Sequence, residues 1–150
     1  MKLPRSLVLI CLICMVLLPA AMQPGNAQGT KALLLFGDTD HKTFLGCLNC
    51  VDTSAVSVCN DLGKYGSDLA VDSIWNDLGR FGSNLSRLSP WNDLSNNAPI
   101  IVDRDGRSYG YFSTNTLHHD RTRIDWLVAV LDYYEETNNL QKTRNLMCRE

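Results

Sequence analysis

The sequence predicts a small α+β domain with short strands, a β-hairpin, a turn-rich run of 16-residue repeats and a C-terminal helix. Three observations predict it. The chain repeats itself with a constant period: Ser57-Val-Cys-Asn-Asp-Leu, Ser73-Ile-Trp-Asn-Asp-Leu and Ser89-Pro-Trp-Asn-Asp-Leu start 16 residues apart without gaps. Asp105-Gly106 separates two β-prone runs, a strong short-range hairpin signal. Near the end, Ile124, Leu127, Val128 and Leu131 fall at helical spacing.

The first residues read as a targeting segment. Lys2 and Arg5 precede the apolar run Leu7 to Leu18, which is too short to span a bilayer as a helix. Small residues lead to a cleavage point after Ala27, so residues 1–27 are read as a signal peptide and residues 28–150 as one exported domain, periplasmic or secreted. Removing Lys2 and Arg5 leaves 12 bases against 16 acids, a mature charge of about −4. That argues against a nucleic-acid surface, which needs a basic excess. No membrane span is expected once the signal is removed. The charge selects no partner, and an envelope component or another protein stays open.

The order of elements follows from local pattern. Lys31 to Phe36 is a short apolar run ended by Gly37-Asp38 and reads as a strand. His41 to Leu48 reads as a second, with Gly46 marking a bulge. The repeats occupy 57–94. Within one unit, Ile74, Leu78, Phe81, Leu85 and Leu88 match one face of a helix, but Gly79 and Gly82 would each cost about 1 kcal/mol in a helix interior. The expected compromise is a single turn capped by Ser73 and closed by Gly79 in the left-handed conformation. The hairpin spans 99–113, with a type I′ turn at Asp105-Gly106. The helix spans 122–136, with Thr122 and Asp125 resembling a capping box and Asn138-Asn139 ending it. It is expected to pack on the sheet, and the polar tail beyond it to form a second, frayed helix.

Four cysteines remain after processing: Cys47, Cys50, Cys59 and Cys148. Cys59 stands where Trp75 and Trp91 stand in the other units. A structural disulfide from Cys59 to Cys47 or Cys50 is the leading expectation, with Cys148 in a second bridge or free. A zinc site of His41, Cys47, Cys50 and Cys59 is a weaker alternative, because no second ligand pair has zinc spacing. A redox Cys47-x-x-Cys50 ranks lower still, since no helix follows it. Asp103-x-Asp105-Gly106 resembles the opening of a calcium loop, but turn chemistry accounts for it better.

His118-His119-Asp120 is the one dense group of acid/base or metal-ligating residues. In an extended segment the two rings would face opposite ways, and Asp120 would complement the helix dipole. Gly-x-Ser-x-Gly, a P-loop and a dinucleotide fingerprint are all absent. The recurring Asn60, Asn76 and Asn92, with Trp75 and Trp91, are the candidate binding residues of a polar-aromatic surface. Aromatic side chains filling the core are the competing explanation. No cofactor is implied.

Phe44-Leu-Gly-Cys-Leu-Asn-Cys50, the Ser-Ile-Trp-Asn and Gly-x-[Tyr/Phe]-Gly-Ser units, and Ala98-Pro-Ile-Ile-Val-Asp-Arg-Asp-Gly-Arg-Ser-Tyr-Gly-Tyr-Phe112 together resemble a family of small exported bacterial proteins of unassigned function. The similarity covers Phe44 to Asn115. The chain departs from it at Leu62 and Leu78, where aromatic residues are expected, and in the C-terminal helix. The resemblance implies export and supplies no catalytic residues. The expected function is a non-enzymatic binding or cell-envelope-associated module with a repeat-built surface. The alternative is a small hydrolase or metal-dependent enzyme using His118, His119 and Asp120.

Overall fold

The computed structural model describes residues 30–148; the predicted signal peptide lies outside them. Four strands, β1 (Leu34–Gly37), β2 (Thr43–Cys47), β3 (Ile100–Val102) and β4 (Ser108–Tyr111), form an antiparallel sheet in the order β2-β1-β3-β4. Two helices, α1 (Asp125–Thr137) and α2 (Leu140–Cys148), end the chain. This is the α+β architecture expected. Leu35 pairs with Gly46 and Phe36 with Phe44, so Leu45 is the extra residue of a bulge. Gly46 takes a φ of 115°, which a side chain would strain.

Residues 57–97, between β2 and β3, contain neither helix nor strand. They form three turn-built rungs, 57–62, 73–78 and 89–94, with the same internal hydrogen bonds. In each, the serine Oγ accepts from the N–H two residues on, at Cys59, Trp75 and Trp91. The asparagine Oδ1 accepts from Leu62, Leu78 and Leu94, while its Nδ2 donates to Ser54, Ala70 and Ser86. These side chains supply the partners that a helix or sheet would otherwise give the backbone.

As the glycines of the repeat led one to expect, no helical face forms: Ile74 and Phe81 are buried, but Leu78 and Leu85 point outward. Nor is Gly79 left-handed, since the described glycines with positive φ are Gly46, Gly106 and Gly110. The repeat glycines serve close approach instead. A Cβ on Gly82 would fall 2.1 Å from the Asn76 carbonyl oxygen, and one on Gly66 2.2 Å from that of Asn60.

The rungs stack through their carbonyls. Trp75 Nε1 donates to Val58 O (2.7 Å) and Trp91 Nε1 to Ile74 O (2.6 Å). The equivalent carbonyl of the third rung, Pro90 O, accepts from the N–H (2.8 Å) and Oγ1 (3.0 Å) of Thr114. Ser113-Thr-Asn-Thr-Leu117 is thus a fourth rung, shorter by one residue. Ser113 Oγ accepts from Asn115 N, Asn115 Oδ1 accepts from Leu117 N, and Asn115 Nδ2 donates to Ser95 O. The first rung adjoins β2: Cys47 N donates to Val56 O and Val58 N to Cys47 O.

Two aromatic positions bind the stack to its neighbours. Tyr65 packs edge-on to Phe44 of β2, and Phe81, 16 residues later, lies where a Cβ on Gly37 of β1 would meet it. On the tryptophan side, Trp91 meets Tyr134 of α1 at 4.9 Å between ring centroids. Asp61 pairs with Arg144 of α2, and Cys59 is bonded to Cys148 at its end. The helices accordingly run down the stack from the third rung to the first, against the rungs rather than against the sheet as expected.

Helix α1 buries Leu127, Val130, Leu131 and Tyr134, a stripe shifted toward its C-terminus from the predicted one. No capping box forms at its start; the residue preceding the helix is Ile124, without a side-chain cap. Asn138 ends α1 in the left-handed conformation, and Asn139 Oδ1 accepts from Lys142 N to cap α2.

The β3–β4 turn begins earlier than predicted. Gly106 N donates to Asp103 O, and of the four turn residues only Gly106 has positive φ, so the turn is type I followed by a left-handed glycine rather than type I′. The Asp103 carboxylate, buried beneath the turn, accepts from Arg107 N and Asp105 N, from the Tyr109 hydroxyl and from Lys31 Nζ.

The disulfides are Cys47–Cys50 and Cys59–Cys148. The expected link from Cys59 to Cys47 or Cys50 is corrected. Cys47 and Cys50, three residues apart, close on each other, and the helix along the tryptophan face delivers Cys148 to the first rung. Loop-closure entropy then predicts unequal effects: breaking the bridge across 89 residues (Cys59→Ser with Cys148→Ser) should cost about 4.6 kcal/mol, and breaking the short one about 2 kcal/mol. Urea midpoints of the two double variants, measured on oxidised protein, check this; equal losses would contradict it.

A second expectation concerns pH. Chiefly the Arg107 amide, aided by Tyr109 and Lys31 and opposed by burial, holds the Asp103 carboxyl down at about 2 against an ordinary 3.8. A carboxyl depressed in the folded state adds stability that is complete above its unfolded value and is lost as pH falls through the folded one. Stability of the wild type should therefore fall more steeply than that of Asp103→Asn between pH 4 and about 2. Parallel denaturation curves across that window would show that Asp103 contributes no such term.

Candidate functional site

The candidate binding residues sit inside the scaffold. Trp75 and Trp91 are 3% and 2% exposed, and their rings stack with centroids 5.4 Å apart. Each indole N–H is spent on the carbonyl of the rung below, so neither ring offers an open face to a ligand. Asn60, Asn76 and Asn92 use both ends of their amides on their own coil. The proposed polar-aromatic surface of Asn60, Asn76, Asn92, Trp75 and Trp91 is corrected to an internal ladder, because turn-built rungs have no other source of backbone partners.

What the repeats do present outward is leucine. Leu62, Leu78 and Leu94 are 98%, 93% and 79% exposed, and Leu117 of the fourth rung is 91% exposed. In all four rungs the leucine follows the asparagine by two residues and has its N–H fixed by the Oδ1 of that asparagine. Asp61, Asp77 and Asp93 immediately precede the first three and are exposed. Leu69 and Leu85, at a second repeat position, are also exposed, with their N–H groups bonded to Ser67 and Ser83 Oγ. Sequence reasoning found Leu78 and Leu85 at helical spacing, set the helix aside for turns, and did not identify them as exposed. The glycines ruled out the helix but carried no signal of which side of the turns faces solvent.

The His118-His119-Asp120 segment is a turn, so its rings do not diverge. His118 and His119 stack with centroids 5.5 Å apart, and His118 packs on Tyr111 at 4.3 Å, with His41 on the other contact of Tyr111 at 5.4 Å. His119 Nε2 lies 2.7 Å from Asp120 Oδ2, both side chains being largely exposed. Asp120 is therefore engaged with His119, and Asp125 is the acidic residue of the first turn of α1. Two open hollows of about 600 Å³ adjoin His119, one beside β4 and one beside α1. Among the described residues no serine, threonine or cysteine donates to either histidine ring, the geometry a nucleophile needs.

The zinc alternative is corrected as well. Cys47, Cys50 and Cys59 are oxidised in disulfides, and His41 Nε2 lies 3.2 Å from Ala98 O. Among the described residues no three His, Cys, Asp or Glu side chains converge as metal ligands. No described helix is long and apolar enough to cross a membrane.

If the tryptophans are structural, Trp91→Ala should cost about 3–5 kcal/mol, the range for large aromatic truncations in a core. Thermal unfolding followed by far-UV circular dichroism measures it. A variant melting within a degree or two of the wild type would return Trp91 to the list of surface groups.

No known protein family, curated protein or solved structure matches this chain.

Proposed function

We propose that the protein is an exported, non-enzymatic binding or cell-envelope-associated module whose working surface is the outer face of the repeats. The observation that carries this reading is the fourfold recurrence of one exposed leucine at one rung position, each held by an asparagine side chain. Scattered exposed apolar residues are ordinary, but a regular row at a rigid position is a feature that folding does not require. Two disulfides suit an oxidising compartment, in keeping with the charged-then-apolar leader pattern of residues 1–27. The resemblance to small exported bacterial proteins points the same way.

The enzyme alternative rests on the His119–Asp120 pair, which could orient a general base. Among the described residues it has no adjoining nucleophile and only open hollows beside it, and it ranks second for that reason.

The two readings separate in one experiment. Native size-exclusion of an envelope or culture-medium extract should show the wild type in a complex larger than the isolated protein. The triple variant Leu62→Ser, Leu78→Ser, Leu94→Ser should leave that complex, and His118→Ala with His119→Ala should remain in it. Hydrolysis of ester, phosphate or peptide substrates by the purified protein, abolished by His119→Ala, would overturn the binding-module reading.

A further inference from the structure

We propose that the hollow between the third rung and α1 binds a small hydroxylated primary amine, of the amino-sugar class, with Asp93 and Glu135 as its charge partners. The site is separate from the leucine row and does not depend on it.

The hollow holds about 500 Å³, room for a ligand of about one or two sugar rings. Its back is closed by Trp91, Thr114 and Tyr134, all buried. Its rim is exposed and polar, with Asp93 on the rung, Asn84 on the coil before it, and Glu135 and Asn138 at the end of α1.

Charge selects the sign of the ligand. Asp61, the equivalent of Asp93 on the first rung, is paired with Arg144 of α2. On the third rung the facing helix offers Glu135 instead, and no Lys, Arg or His is among the described residues that line the hollow. Among the described residues no ion pair involves Asp93 or Glu135. Burial raises the Glu135 carboxyl above its ordinary value; the charge of Arg121 opposes this, and those of Asp132 and Asp93 add to it. Arg121 is itself bound to Asp132 and to Ser113 O, and it lines the hollows beside His119. Two elements thus bring like charges to one space, which folding alone disfavours and a bound cation relieves.

Hydrogen-bonding chemistry selects a hydroxylated amine. Ionised carboxylates only accept, so they suit an ammonium with its three donors. The carboxamides of Asn84 and Asn138 each combine donor and acceptor, the pattern that a hydroxyl matches. Both are anchored. Asn84 interacts with the Tyr134 hydroxyl, and Asn138 is held left-handed by its N–H bond to Tyr134 O. A metal ion is a poorer match, because among the described residues no three His, Cys, Asp or Glu side chains converge. A quaternary ammonium needs an open aromatic face, whereas the Trp91 ring is packed against Trp75, Phe112 and Tyr134.

The test titrates the full mature protein, isotope-labelled for NMR, with glucosamine at neutral pH and constant ionic strength. The side-chain amide resonances of Asn84 and Asn138 should shift saturably, with a Kd in the millimolar range for so small a ligand. N-acetylglucosamine keeps the ring and loses the charge; ethylamine keeps the charge and loses the hydroxyls. Each should bind at least about threefold more weakly. Asp93→Asn and Glu135→Gln should each weaken glucosamine binding about threefold, and Glu135→Lys should abolish it by placing a cation in the hollow. Spectra unchanged away from the hollow verify that these exposed-site variants are folded. The triple leucine variant should bind glucosamine as the wild type does.

No saturable shift in the wild type, equal binding of the three probes, or indifference to the carboxylate substitutions would overturn the proposal. Calcium that reproduces the shifts and displaces glucosamine would overturn it by assigning the carboxylates to a metal ion. Loss of glucosamine binding in the folded triple leucine variant would overturn it by placing the site on the row.

Discussion

The fold depends on one interaction used three times: a carbonyl at the second residue of each rung accepts a hydrogen bond from the side of the next. Val58, Ile74 and Pro90 provide the carbonyls, and Trp75, Trp91 and Thr114 answer them. A section made only of turns has no ladder of its own, and a buried carbonyl left without a donor costs about 1–3 kcal/mol. The tryptophan supplies that donor and a large apolar surface together. Serine and asparagine then satisfy the amides within each rung, and the result is a rigid stack without regular secondary structure.

Everything else is arranged around that stack. The sheet meets it through the Tyr65 and Phe81 positions, and the helices cover the Trp75 and Trp91 positions. Cys59 explains itself in this setting. At the first rung there is no earlier coil whose carbonyl an indole could reach, because β2 already pairs there with Val56 and Val58. The small thiol leaves room for the end of α2 and fastens it covalently. The stack is thus closed by a strand at its start, by Ser113 to Leu117 at its other end, and by a disulfide along its side.

This closure has a functional consequence. The asparagines and tryptophans that looked like binding residues are consumed by the scaffold, and half-buried His118 stacks between Tyr111 and exposed His119 with, among the described residues, no nucleophile donating to either ring. What the scaffold leaves over, and repeats, is exposed leucine, preceded by aspartate in the first three rungs. That exposed leucine, recurring at one position of four rungs, is what the proposed binding role rests on.

The sequence by itself determined the class of fold, the positions of the four strands and of α1, the bulge at Gly46, the turn at Gly106 and the 16-residue period, because each of these is written in local pattern or in residues with special backbone preferences. It also showed that the repeats could not be long helices, since Gly79 and Gly82 oppose it. The face each residue takes was a tertiary decision. Leu78 and Phe81 look alike as apolar residues in one unit, yet one is exposed and the other buried, because burial in a stack is set by neighbouring coils and not by a helical period. The fourth rung was hidden by its missing residue and by the hairpin inserted before it. The pairing of Cys59 with Cys148 was decided by where the helices lie, as was the packing of those helices on the rungs. Loop closure varies only slowly with length, so proximity in the chain could not choose Cys59's partner; the packed aromatic face did.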